Sequence, residues 1–289
     1  MRSVRYEAPA TVEEAVALLS DAGGEAKPLA GGTDLIVQMR ARMISPGVIV
    51  DVKNIPDLLE VRAQDGGFRV GAAVPGAVLG ENEAVVAMWP GVVEAFELIG
   101  STQIQGRASL GGNLCNASPA ADSTPAMIAA GVTCEIAGPG GRREAPVEDI
   151  VTSPGKTSLG NGEFVVSFYL PPRPARTGDA YLRFIPRTEM DIAVVGAGVC
   201  VTLDEGGTCT AARVGLGAVA PTPLLVAEAA DALVGTRLDD DAMANLAAAA
   251  SAACNPIDDK RGTITYRTKV AGVLARRAAG IASERARSN

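Results

Sequence analysis

The sequence predicts an α+β protein in two parts, and three features carry that expectation. A capped helix sits among short apolar strands within roughly the first 55 residues. The segment Pro171 to Gly178 (PPRPARTG) breaks any regular element, because consecutive prolines remove backbone donors and fix φ. Beyond it, runs of strand pattern are followed by runs of helix pattern rather than alternating with them. A domain boundary is therefore placed near residue 175, giving parts 1–175 and 176–289.

In the first part, Thr11 and Glu14 have capping-box spacing, and Val12, Ala15, Val16 and Leu19 recur at helical intervals until Gly23 and Gly24 stop the helix. Pro28 to Ala30 reads as a short strand entering a Gly-Gly turn. Asp34 is placed to cap a second helix running to about Met43, and Val48 to Val52 is the next strand. These form a βα-type lobe of about residues 1–55. Leu59 to Val74 reads as a hairpin around Asp65-Gly66-Gly67, Gly91 to Ile99 as a helix, and Gly111-Gly112 as a second glycine-rich turn. Asp122 offers an N-cap with Pro125 in the first helical turn and Gly131 at the end. Val132 to Ile136 and Arg142 to Ala145 flank another hairpin turn, Gly138 to Gly141. Phe164 to Leu170 is a strand ending at Pro171-Pro172. In the second part, Tyr181 to Pro186, Ile192 to Leu203 and Cys209 to Val219 read as strands, and Asp241 to Cys254 and Thr265 to about Arg285 as helices.

Composition excludes several function classes. With 289 residues and 47% hydrophobic content, the chain can bury a substantial core. A net charge of -7, with no Lys/Arg run longer than two, leaves no electrostatic footprint for nucleic acid. The most apolar stretch, Ile192 to Leu203, is far shorter than the roughly 20 residues that span a bilayer. Arg2 and Arg5 are followed by no apolar segment, so no secretion signal is read and a cytoplasmic location is expected. The 5 cysteines lack C-x-x-C spacing, which points to core residues rather than a disulfide framework or a cluster. The absence of histidine (His 0) removes the Ser-His-Asp triad and the usual imidazole zinc sites, and with them flavin attachment through a histidine. Redox chemistry in such a chain would rest on a bound cofactor.

Two glycine pairs, Gly31-Gly32 in LAGGTDL and Gly111-Gly112 in SLGGNL, are candidates for phosphate contact. Without a Cβ the backbone can approach an anion, and successive amides form a concave site for it. Each pair taken alone also suits a tight turn. Neither fits the P-loop or the G-x-G-x-x-G fingerprint.

The strings LAGGTDLIVQMR, GRASLGGNLCNASPAADSTPA and RTEMDIAVVGAGV, in this order, together with TYRTKVAGVLARRA near the C-terminus, resemble the FAD-binding medium subunits of molybdenum hydroxylases. That family includes bacterial carbon monoxide and xanthine dehydrogenases, and the resemblance covers nearly the whole chain. It implies a two-lobed FAD-binding domain followed by a C-terminal sheet-plus-helices domain. By the same resemblance, Leu29, Ala30, Gly31, Gly32, Thr33, Asp34, Leu35 and Ile36 with Ser109, Leu110, Gly111, Gly112 and Asn113 surround the FAD diphosphate. Ile99, Asp122, Val165 and Arg183 fall at further FAD contacts, and Ile192 where relatives set a side chain against the isoalloxazine ring. No catalytic side chain and no metal ligand is assigned.

The implied partners are a large subunit with the molybdenum cofactor and a small subunit with two-iron, two-sulfur clusters, assembled as a dimer of heterotrimers. The chain would relay electrons from those clusters through FAD to an external acceptor. A free-standing FAD-dependent oxidoreductase and a nucleotide-binding scaffold without redox chemistry are the alternatives.

Overall fold

A computed structural model describes residues 4–289. Arg2, read above as part of an N-terminus without a secretion signal, lies outside them. The first lobe is a parallel three-stranded sheet of order β1-β3-β2, with β1 at Arg5–Glu7, β2 at Ala26–Leu29 and β3 at Val48–Asp51. Helix α1 (Val12–Asp21) crosses between the first two strands. The Thr11 hydroxyl accepts from the Glu14 amide at 3.1 Å, the Glu14 carboxylate accepts from the Ala10 amide, and Gly23 and Gly24 take positive φ after the helix. Helix α2 (Leu35–Arg40) follows. Asp34 stands at its N-cap position in helical φ/ψ and makes no side-chain cap bond, so the expected capping role is wrong, and the helix stops earlier than expected.

The second lobe is an antiparallel five-stranded sheet of order β4-β5-β10-β6-β7. The hairpin of β4 (Val61–Gln64) and β5 (Gly67–Gly71) turns at Asp65 and Gly66, both at positive φ. Helices α3 (Gly76–Gly80), α4 (Glu83–Met88), α5 (Pro90–Glu97), α6 (Thr102–Gln105), α7 (Leu110–Cys115) and α8 (Ser123–Ala129) cover one face. Strands β6 (Thr133–Gly138), β7 (Gly141–Pro146), the small pair β8 (Val151–Ser153) and β9 (Lys156–Thr157), and β10 (Phe164–Leu170) complete it. Gly111 and Gly112 lie in the first turn of α7 rather than in a free turn, because Ser109 caps this helix through the Gly112 amide.

The C-terminal part is an antiparallel sheet of β11 (Thr177–Phe184), β12 (Val195–Leu203), β13 (Cys209–Gly217) and β14 (Leu224–Leu225). Helices α9 (Ala227–Asp231), α10 (Asp240–Ala252) and α11 (Ile264–Ser288) follow, α11 packing on β11 and β12. Strand β11 starts earlier than the sequence pattern suggested. Ile192 lies in the loop before β12, about half exposed, so its reading as the start of a buried strand is wrong.

Alternation along these strands decides what faces what. Ala180 and Leu182 join the C-terminal core, whereas Asp179, Tyr181 and Arg183 turn toward the second lobe. On that same face the cross-strand pairs Gly196↔Gly217 and Gly198↔Gly215 form a floor without side chains. A Cβ on Gly198 or Gly215 would sit 2.6 or 2.3 Å from the Pro125 carbonyl oxygen. Helix α8 therefore rests directly on the sheet, and no larger residue fits between them.

Candidate cofactor site

A cleft of about 760 Å³ opens between the two lobes, within the roughly 300–1,000 Å³ typical of small-molecule and cofactor pockets. One wall is the loop from β2 to α2. Gly32 holds φ +77°, and a Cβ on Gly31 would come within 2.0 Å of the Arg107 carbonyl oxygen, so this loop presses on the chain leading into the second glycine pair. Among the described residues, the amides of residues 31 to 35 donate no hydrogen bond. Five consecutive unpaired N–H groups around a left-handed glycine make a concave, positively polarised surface suited to an anion.

The opposite wall is α7, and here the chemistry differs from the expectation. The Gly111 amide donates to the Ala72 carbonyl at 3.1 Å and the Gly112 amide to the Ser109 hydroxyl at 3.2 Å. These amides are already engaged. What the second glycine pair offers is close approach, since Gly111 packs against Ala72 while a Cβ on Gly112 would meet only Ser109 Oγ, at 3.3 Å. Asn113 Oδ1 accepts from the Ser123 hydroxyl at 2.7 Å and from the Ser123 amide at 3.3 Å, tying the cleft wall to the start of α8. Gln38 donates to Asn116 Oδ1 at 2.8 Å and closes the two lobes over the cleft.

Of the residues named from the sequence, Ala30, Gly31, Gly32, Thr33, Asp34, Leu35, Ile99, Ser109, Gly111, Gly112, Asn113 and Val165 line this cleft. Six do not. Leu29 ends β2, Ile36 faces outward from α2, and Leu110 is buried in the core of the second lobe. Asp122 and Arg183 meet each other instead, Arg183 donating to Asp122 Oδ2 at 2.8 Å while the Tyr181 hydroxyl donates to Oδ1 at 3.0 Å. Asp122 thus forgoes the N-cap role read from the sequence, its carboxylate being held by two donors from β11. Ile192 sits in a loop whose Met190 amide donates to the Gly100 carbonyl at 3.1 Å, next to Ile99.

Burial pushes the Asp122 carboxyl up to about 6, against the lowering pull of Arg183 and Tyr181. Burial also holds the Tyr181 phenol well above its usual range, so it is a donor at neutral pH. Cys115 lines the cleft, and its thiol is pushed up to about 12 by burial, which leaves almost no thiolate for bonding to a flavin. Among the described residues no group of three or more His, Cys, Asp or Glu could hold a metal ion. No helix among them is long and apolar enough to cross a membrane.

The sequence reading missed Gln38, Asn116 and Tyr181. The first two carry no signal in one sequence, but Tyr181 lies two residues before Arg183 on an apolar strand, and that spacing puts it on the same face.

The family described as the FAD binding domain in molybdopterin dehydrogenase matches residues 2–173, and that described as the CO dehydrogenase flavoprotein C-terminal domain matches residues 180–282. The chain is 36% identical over 286 residues to the carbon monoxide dehydrogenase medium chain of Afipia carboxidovorans, covering 99% of both. It is 35% identical over 221 residues to the xanthine dehydrogenase FAD-binding subunit of Escherichia coli O157:H7, covering 76% of this chain and 75% of that one. The solved structure of reconstituted CO dehydrogenase from Oligotropha carboxidovorans contains a chain that superposes with a TM-score of 0.94 at 36% identity, covering 98% of each.

Proposed function

Because the chain belongs to the FAD-binding medium subunits of the molybdopterin dehydrogenases, we propose that its cleft holds one FAD without a covalent bond and that the loaded chain relays electrons between a partner's iron-sulfur clusters and an external acceptor. The observation that carries the site is the run of unpaired amides at residues 31 to 35, facing a wall where Gly112 leaves the backbone bare. FAD supplies the ability to take single electrons and release them in pairs.

Each residue's part follows from its chemistry. The amides of Gly31, Gly32, Thr33, Asp34 and Leu35 hold the diphosphate, and Gly112 lets it lie against α7 beside Gly111 and Asn113, with Ser109 fixing the helix start. Leu29, Ile36 and Leu110 support these loops from behind. Ile99 and Val165 give the cofactor an apolar wall. Asp122 and Arg183 present a paired charge at the domain seam, and Ile192 covers the approach to the ring. Residues 1–175, in lobes of about 1–55 and 56–175, make up the FAD-binding domain, and residues 176–289 the C-terminal domain that braces it.

The partners proposed are a large subunit with the molybdenum cofactor and a small subunit with two-iron, two-sulfur clusters. Two such heterotrimers pair in the cytoplasm. The relatives' own names, medium chain and FAD-binding subunit, support an assembly of this kind. Native mass measurement and cell fractionation of the complex check stoichiometry and location. The relay is tested by anaerobic flavin bleaching. The isolated loaded chain stays oxidised with organic substrates but is bleached by dithionite, and substrate bleaches it only after the two partner subunits are added. Rapid bleaching of the lone chain by an organic substrate refutes the relay.

A further inference from the structure

Two of the polar contacts across the domain seam converge on one carboxylate. Asp122 opens α8 in the second lobe, and the neighbouring Ser123 is tied to Asn113 in the cleft wall. Both of its oxygens are engaged from β11, Oδ1 by the Tyr181 hydroxyl at 3.0 Å and Oδ2 by Arg183 at 2.8 Å. The ion pair is buried, with side-chain exposures of 3% for Arg183 and 9% for Asp122, so neither group trades its partner for water at low cost. The phenol has no freedom of its own. Tyr181 is 3% exposed, packed with Ala95 and Ala126, and its hydroxyl lies 2.4 Å from where a Cβ on Gly196 would stand. The glycine floor thus serves a second purpose besides admitting α8, since it leaves a socket for this hydroxyl. Among the described residues, the charged and titratable groups that bear on Asp122 are Arg183 and Tyr181, both from β11.

We propose that Tyr181 is a positioning residue of the flavin site, a C-terminal-domain side chain that fixes the rotamer and charge of Asp122 and thereby the field that the Asp122–Arg183 pair sets up at the cofactor. The proposal rests on the FAD reading above. A carboxylate that loses one of two donors in a buried site turns toward its remaining partner and holds its proton more tightly. Tyr181 has no part in binding or electron transfer itself. Its effect passes entirely through Asp122.

The test uses the full chain loaded with FAD and two variants, Tyr181→Phe and Gly196→Ala. The first removes the hydroxyl with little change in shape, and the second pushes it out of its socket. The Asp122 carboxyl is followed by carbon-13 NMR from a titration near pH 6 in the parent chain. In both variants it moves upward by roughly one pH unit, a tenfold change in proton affinity typical of a lost hydrogen bond to a charged group. The pH at which the flavin midpoint potential bends shifts with it, because protonating Asp122 leaves Arg183 uncompensated. A merely structural role lowers the melting temperature but moves neither readout. An unmoved Asp122 titration in Tyr181→Phe overturns the positioning role. A moved titration with an unchanged bend overturns its reach to the cofactor. A parent chain that retains no flavin on purification overturns the FAD reading instead, a result read from the visible spectrum before any variant is made.

Discussion

Replacing Gly112 with alanine separates folding from cofactor binding. The new methyl group would meet only Ser109 Oγ, at 3.3 Å, and lies inside α7, where alanine is favoured over glycine by up to about 1 kcal/mol. The chain without cofactor should therefore keep its stability or melt roughly 2 °C higher. The methyl group points into the cleft, where a diphosphate lying on bare backbone would make van der Waals contact. Overpacking of such a contact costs about 1–3 kcal/mol, equivalent to a rise of roughly 5- to 150-fold in the FAD dissociation constant. Fluorescence titration of FAD into the apo chain measures the affinity, and thermal melts without FAD measure the fold. Gly31→Ala is the contrasting control. Its Cβ would lie 2.0 Å from the Arg107 carbonyl oxygen, so it should destabilise the apo chain itself. If Gly112→Ala melts like the parent and binds FAD within twofold of it, α7 is not the diphosphate wall.

Acid precipitation should release all flavin into the supernatant, and yellow colour left in the pellet would point to Cys115. Asp179, buried on the seam with Oδ2 on the Gly91 amide and Oδ1 lacking a hydrogen bond but 4.0 Å from Arg173, has its carboxyl pushed from 3.8 up to about 7 by burial, against the lowering pull of the Gly91 amide and Arg173. The folded chain thus keeps a proton that the unfolded chain has lost, and stability falls as pH rises from about 4 to about 7, then levels off. Asp179→Asn should abolish that fall, adding up to about 4 kcal/mol at pH 8 and nothing at pH 3, and denaturant melts at the two pH values check it. Gly215→Ala sets a methyl 2.3 Å from the Pro125 carbonyl oxygen, backbone against backbone, and should cost about 1–3 kcal/mol. A melting temperature equal to the parent's would show that α8 does not rest on this floor.

Much of the fold was legible because local chemistry and tertiary context agree. The Thr11 cap, the Asp65-Gly66 hairpin and the strand ending at Pro171 each carry a signal within a few residues, and each forms as expected. Two of the errors concern N-caps. Asp34 and Asp122 have the side chain and the spacing of N-caps, but Asp122 is claimed by Tyr181 and Arg183 from a strand 59 and 61 residues away in sequence. No pattern within α8 announces those partners. Gly111-Gly112 looks like a turn because glycine is rare inside helices, and only the packing of Gly111 on Ala72 and the bare face of Gly112 explain why a helix tolerates both. The two glycine pairs were found together, yet their chemistry differs. Positive φ and unpaired amides at the first could not be told from engaged amides and mere absence of side chain at the second.

The seam also shows how the C-terminal part bears on the proposed flavin site, although the cleft itself lies between the two N-terminal lobes. Three alternating residues of β11 reach across the seam. Asp179 holds the start of α5 through Gly91, Tyr181 and Arg183 hold the start of α8 through Asp122, and Arg285 of α11 pairs with Glu94 of α5 while donating to the Asp179 carbonyl at 2.7 Å. Because α8 lies on glycines, it cannot be levered up by a side chain swinging beneath it, and its first turn is fixed relative to the sheet by backbone contact. Ser123 passes that constraint to Asn113, one residue from Gly112. The C-terminal sheet therefore bears on the position of α7 through the seated helix α8 and the Ser123–Asn113 hydrogen bond, and the proposed cofactor wall is held in place before any ligand arrives.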